Sequence, residues 1–306
     1  MFSSDSNHIN TNPLPDVTSN TLTDSSLPLQ WVGMEKIGVP LTLALDNGKH
    51  QSLAAQADIF VSLDQASAKG IHMSRLHAIL NTLDEEPFTK SLLDRLLDEA
   101  VSSQAGISNN AKITLTFDLL LKKPALLSNE SGFQAYSVVV NGEVINGSHA
   151  YDIDVTIPYS STCPCSASLS RQLYANAISE AFDSETIDKA SLLQWIQSDQ
   201  GSVATPHSQR SYAYIKMSTS NNPWPALDSL IRHFEEVIGT SVQTAVKRID
   251  EQEFARLNAN NLMFCEDAAR RIKACLETLP YVTDYWFKVE HQESLHAHNA
   301  VVIDQK

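Results

Sequence analysis

Ser161-Thr162-Cys163-Pro164-Cys165-Ser166 sets two cysteines around a proline where a strand-like pattern gives way to a helical one. A thiol at a helix start sits at the positive end of the helix dipole, which lowers its pKa and favours the thiolate. Thiolate is the form that binds a metal or attacks an electrophile. The other reading is two small residues at a helix cap, and the string alone leaves both open. A disulfide within Cys-Pro-Cys would be badly strained. A structural zinc finger would need a second close pair of ligands, which does not follow.

A catalytic metal would draw its ligands from scattered positions. His207 stands in a polar loop that enters a strand, and His296 and His298 follow Glu293 near the C-terminal strand. A lone histidine of this kind is commonly structural or merely exposed; two at i and i+2 beside a glutamate strengthen a functional reading. Asp250, Glu251 and Glu253 have an ordinary explanation, with Asp250 as a helix cap and Glu253 closing a capping box. Glu251 is not needed for that box. Glu266 likewise has an i,i+4 ion pair with Arg270 open to it. His72 and Arg75 lie at a loop-to-helix junction, where a helix N-terminus and a guanidinium suit phosphate; a capped helix with Met73 and Leu76 in the core is the alternative. Neither a Walker loop nor GxGxxG occurs.

Positioning these residues takes an alternation of strands and helices. Residues 57–63 have strand composition, residues 64–70 read as a loop, and residues 73–80 and 87–101 carry leucines at helical spacing (Leu92, Leu93, Leu96, Leu97). Ile113, Leu115, Phe117 and Leu119 alternate as in a half-buried strand. Strands at 133–144 and 151–157 join through Asn146-Gly147 turn chemistry. Helices follow at 166–182 and 187–198, a loop at 201–206, a strand at 211–218 and an amphipathic helix at 225–239. A strand is expected at 242–246, helices at 250–258 and 262–279, and strands at 281–290 and 297–303 around a loop at 292–296. Residues 1–29, rich in Ser, Thr, Asn, Asp and Pro, read as a disordered tail.

Both halves therefore run strands, helices, strands. The expected fold is α+β, with two modules of antiparallel sheet carrying helices on one face, residues 30–160 and 161–306. A sheet of this kind with an open side commonly completes itself by oligomerising. The 306 residues carry 22 Lys+Arg against 36 Asp+Glu, a net charge of -14, which sets nucleic acid aside as a main partner. A local basic pocket for a polyanionic small molecule stays open. No apolar run approaches the ~20 residues of a membrane span, and the first residues lack the features of a secretory signal. The expectation is a soluble cytoplasmic protein.

Taken together and in order, GIHMSRL (70–76), STCPCS (161–166), PHSQRS (206–211), VKRIDE (246–251), FCED (264–267) and ESLHAHNA (293–300) resemble the GTP cyclohydrolase type IB family across roughly residues 30–306. The resemblance implies a tunnelling fold closing into barrels as a homotetramer, with active sites at subunit interfaces. It implies conversion of GTP and water to 7,8-dihydroneopterin triphosphate and formate, the entry to tetrahydrofolate; in some bacteria the product also feeds modified tRNA bases such as queuosine. By the same resemblance the metal ligands are Cys163, His207, Glu251 and His296, holding Zn²⁺, Mn²⁺ or Fe²⁺. Glu266 anchors the guanine edge, and His72, Arg75 and Arg210 are candidates for the triphosphate, with Lys247 and Arg248 behind them. Cys163, His296, His298 and Glu293 make up the catalytic set, the last three as proton shuttles. Cys165 either assists or packs.

Two departures from the family pattern stand out. A helical stretch at about 170–200 reads as a surface insertion, and Asn260-Asn261-Leu262 replaces a usual Asn-Pro. The alternatives are a nitrile reductase-like enzyme of the same fold with a cysteine nucleophile, a metal-free hydrolase built on Cys163 and His207, and a non-catalytic oligomer with structural zinc.

Overall fold

The computed structural model describes residues 27–220 and 224–306. Eight strands form one antiparallel sheet in sequential order: β1 (Leu29–Ala44), β2 (His50–Leu63), β3 (Asn110–Pro124), β4 (Ser131–Ile145), β5 (Ser148–Thr162), β6 (Ser208–Thr219), β7 (Val282–His291) and β8 (Ala300–Gln305). Seven α-helices accompany them among the described residues: α1 (Met73–Leu80), α2 (Lys90–Ser103), α3 (Pro164–Ala181), α4 (Lys189–Gln197), α5 (Leu227–Ile238), α6 (Arg248–Asn260) and α7 (Cys265–Thr278). The architecture is α+β, as the strand and helix patterns require. None of these helices is long and apolar enough to cross a membrane.

Alternation explains which face is covered. Ile113, Leu115, Leu119, Ile153, Ile157, Ala213, Met217 and Val289 all point to one side and are fully buried, while Thr114, Asp152, Asp154, Lys216 and Lys288 point to the other. The helices pack on the apolar side. Helix α2 buries Leu92, Leu93, Leu96, Leu97 and Ala100, a stripe at 3.6-residue spacing, and Thr89 caps it by accepting from Leu92 N at 3.2 Å. Each fully buried leucine contributes roughly 2 kcal/mol, offset by the entropy of ordering the chain. Helices α5 and α7 cover the second half with Leu230, Ile231, Phe234, Ala268, Ile272 and Leu276.

Helix α3 is different: only Ala167 and Ser170 are buried, and α4 buries no residue. Leu169, Leu173, Leu193 and Ile196 are exposed. The stretch around 170–200 is helical and lies on the surface.

Asn146 and Gly147, with φ of 50° and 80°, make the tight β4–β5 turn that their dipeptide calls for. The strand expected at 242–246 does not form. Beyond Val155 the β4 ladder no longer follows β5, and the exposed edge takes a single bridge, Tyr159 to Ser241, with Ser160 N donating to Thr240 O at 2.9 Å. The capping assignment on α6 also shifts. Asp250 is the third residue of the helix, accepting from Lys247 N at 2.8 Å, while Glu253 pairs with Arg256. The expected disordered tail lies outside the described residues except for its last positions, where β1 already begins at Leu29.

A candidate metal and nucleotide site at the strand ends

Three strand ends and a helix start meet at one corner. β5 stops at Thr162, and Cys163 then takes an extended conformation as the N-cap of α3, with Pro164 in the first turn, where its missing N–H costs nothing. Cys163 makes no side-chain capping bond, so its half-exposed thiol is not committed to the helix. Its backbone N donates to His207 O at 3.2 Å, and His207 N donates to Ser166 Oγ at 3.1 Å. These two bonds seat the residue before β6 against the residue after β5.

The β6–β7 register pairs Ser211 with His291, and Gln292 N donates to Arg210 O at 3.1 Å. Glu293 follows and brings its Oε2 to 3.7 Å from His207 Nδ1. That oxygen is buried and has no hydrogen-bond partner among the described residues. Gln209 Oε1 lies closer, 3.0 Å from the same ring nitrogen. Met263 N donates to Thr162 O at 3.2 Å, which ties the start of α7 to the same corner.

Cys163, His207 and Glu293 are thus brought together. Thiol and imidazole suit a borderline divalent cation, and Cys163 and His207 could supply two of its ligands. Glu251 lies elsewhere, exposed in the first turn of α6. One turn on along the same helix, Phe254 lines a cleft of about 410 Å³ together with Ser208 and Arg210. His296 and His298 are exposed in the β7–β8 loop, rings stacked with centroids 5.0 Å apart. No group of three or more His, Cys, Asp or Glu side chains converges as a metal cage among the described residues.

Glu266 is exposed in the first turn of α7 and does not form the ion pair its spacing allows: Arg270 reaches Asp267 instead, at 3.1 Å. Its charge is felt by His291, which is almost fully buried against Tyr159 OH at 2.9 Å and is driven down to about 4 by burial. The neighbouring Cys265 thiol is pushed up to about 11 by burial and is inert by comparison with an accessible cysteine. His72 and Arg75 stand apart, at the start of α1. His72 exchanges backbone bonds with the buried Gln104 side chain, and Arg75 donates to Ser103 O at 2.6 Å. Lys247 pairs with Glu130 at 2.7 Å.

Two features went unread in the sequence. Asp250 is fully buried and accepts from Leu127 N, Ser128 N and Ser128 Oγ at 2.6–2.9 Å, which fastens the β3–β4 turn beside Glu251 and holds its carboxyl well below the usual range. Gln209 shares a face with His207 by simple alternation, the one signal that pointed to it.

A family model described as type I GTP cyclohydrolase folE2 matches residues 14–302. The chain belongs to this family. Its members are hydrolases acting on GTP. The GTP cyclohydrolase FolE2 of Hahella chejuensis is 59% identical over 293 residues, covering 96% of each chain. That of Pseudoalteromonas atlantica is 54% identical over 294 residues, again covering 96% of each. The Pseudomonas putida FolE2 is 43% identical over 293 residues, covering 95% of each. Among solved structures, uricase from Arthrobacter globiformis aligns with a TM-score of 0.46 at 9% identity, over 92% of this chain and 95% of that one.

Proposed function

We propose that this GTP cyclohydrolase is metal-dependent and converts GTP and water to 7,8-dihydroneopterin triphosphate and formate for folate synthesis in the cytoplasm. The observation that carries the metal reading is the junction of Cys163 with His207, where Cys163 N donates to His207 O and His207 N donates to Ser166 Oγ. In this reading Cys163, His207, Glu251 and His296 hold one Zn²⁺, Mn²⁺ or Fe²⁺. The metal supplies Lewis-acid activation of water for attack on the purine C8. Glu251 and His296 complete the set when subunits close the open sheet into a tunnelling-fold barrel, as a homotetramer.

Glu266 accepts two N–H bonds from the guanine edge, which would separate guanine from adenine. Its exposed place in the first turn of α7, near the corner and free of Arg270, supports that role. Arg210, with His72 and Arg75 from another part of the assembly, steadies the triphosphate. His296 and His298 move protons during ring opening and formate release.

The test is GTP turnover by chelator-stripped protein, before and after adding Zn²⁺ or Mn²⁺, followed by fluorescence of the oxidised product. Turnover restored by metal, and lost in Cys163→Ala and Glu266→Ala, is the expected result. Full turnover in stripped protein, or unimpaired metal-restored turnover in Cys163→Ala, overturns the reading.

A further inference from the structure

We infer that Gln209 is a positioning residue that keeps the ring proton of His207 on Nδ1, so that a bare Nε2 faces the metal. The inference rests on His207 being a metal ligand, as proposed above. Gln209 Oε1 lies 3.0 Å from His207 Nδ1, a hydrogen-bond distance. The amide does not turn freely. Its Nε2 donates to Ser161 Oγ at 2.7 Å, and Ser161 Oγ contacts Ser211 Oγ at 2.8 Å. Both serines are fully buried, and Ser161 is directly opposite Gln209 in the β5–β6 register.

Reversing the amide would aim an N–H at Nδ1 and send the ring proton to Nε2, where it would block metal binding. Glu293 decides between the two arrangements. Its Oε2 lies 3.7 Å from Nδ1, is buried and finds no donor elsewhere among the described residues. A negative charge on that side favours a proton on the facing nitrogen, and 3.7 Å is too long for the carboxylate to hold the ring by itself. Gln209 makes the bond and Glu293 biases it. Histidines that bind metals commonly donate their other N–H to such an acceptor, and loss of the acceptor typically weakens metal affinity 10–100-fold.

The test uses the full chain with ¹⁵N-labelled histidine, its His207 signal assigned with His207→Ala, and the variants Gln209→Leu and Gln209→Glu. Long-range ¹H–¹⁵N spectra of stripped protein report the tautomer directly, without metal. Nδ1–H in the parent and in Gln209→Glu, with a shift toward Nε2–H in Gln209→Leu, is expected; Nε2–H in the parent overturns the inference. Competition with a chromophoric chelator then gives Zn²⁺ affinity, expected to fall about 10–100-fold in Gln209→Leu and to recover in Gln209→Glu. Equal affinity in parent and Gln209→Leu overturns the positioning role even where His207→Ala abolishes binding. Unchanged Zn²⁺ affinity in His207→Ala instead sinks the ligand reading on which the inference stands.

Discussion

The two halves of the sheet use the same frame and close it differently. In the first half, β1 turns into β2 within residues 45–49, where Leu45 N donates to Lys49 O, and β3 turns into β4 within 125–130, where Ala125 N donates to Glu130 O. The first half has one long connection, residues 64–109 with α1 and α2. In the second half, β5 reaches β6 through residues 163–207, β6 reaches β7 through the stretch that carries α5 to α7, and β7 reaches β8 through 292–299. Cys163, His207, Glu293, His296 and His298 all lie in the β5–β6 and β7–β8 connections, Glu251 and Glu266 in the β6–β7 connection, and His72 and Arg75 in the β2–β3 connection. None of the candidate residues lies in the tight turns. The short turns have their spare backbone N–H groups taken by the buried Asp228 and Asp250, whereas the connections end in side chains with unused capacity, such as the Cys163 thiol and Glu293 Oε2.

The halves are also bolted together at the quiet end of this comparison. The β1–β2 turn donates from Asp46 N to the buried Asp228 of α5, and Lys123 and Tyr136 both reach Glu235 on the same helix. Burial lowers the Lys123 pKa, although Glu235 opposes that. The β3–β4 turn is held by Asp250. Hairpins without chemistry of their own therefore seat the helices of the other half.

If connections carry chemistry and the frame carries stability, substitutions in the two should diverge. The largest effect belongs to Cys163→Ser: turnover should fall on the order of 10³-fold, the several kcal/mol a Lewis acid supplies, with Tm changed by no more than about 2 °C. A large fall in Tm would break the contrast. Leu93→Ala, in the fully buried stripe of α2 facing Gly142, should cost about 3–4 kcal/mol in chemical denaturation. The activity per folded molecule should stay at the parent value.

His291 sharpens the comparison, because it is a second-half residue buried in strand β7 and not in a connection. Its pKa is about 4 in the folded state against 6.5 unfolded, so the unfolded chain binds the extra proton between those values. Its contribution is therefore present above about pH 6.5 and lost as pH falls toward 4, on the order of 3 kcal/mol. Denaturation curves at pH 7, 5.5 and 4 should show that acid loss in the parent and a flatter limb in His291→Gln. The smallest effect is Gly48→Ala in the β1–β2 turn. Gly48 has φ of 74° and open space around it, so the cost is backbone strain alone, about 1 kcal/mol, with turnover unaffected.

Much of the frame was legible from the order of residues. Leucine spacing in α2 and alternation in β3 report local periodicity, which tertiary contacts then reinforced. The errors came where two local solutions were nearly equal. Residues 242–246 have strand composition, but only one short stretch of β5 edge was left to pair with. Arg270 had two acidic neighbours within reach and took Asp267, three residues away, over Glu266, four away. The corner of the site was legible as separate motifs and not as a place. Cys163, His207 and Glu293 meet because of the β5–β6 and β6–β7 registers, and pairing registers between distant segments leave no trace in local composition.

The sequential order β1 to β8 has a consequence for how the molecule is made. Every ladder joins strands adjacent in the chain, so no strand waits for a partner from the far end. During synthesis, β1 to β4 with α1 and α2 leave the ribosome before Cys163 does, with every ladder among those strands already complete in sequence. The Cys163 thiol thus follows the strands of the first half along the chain. The late helices α5 and α6 then dock on turns synthesised before them, through Asp228 and Asp250, so the corner around Cys163 and His207 is completed last.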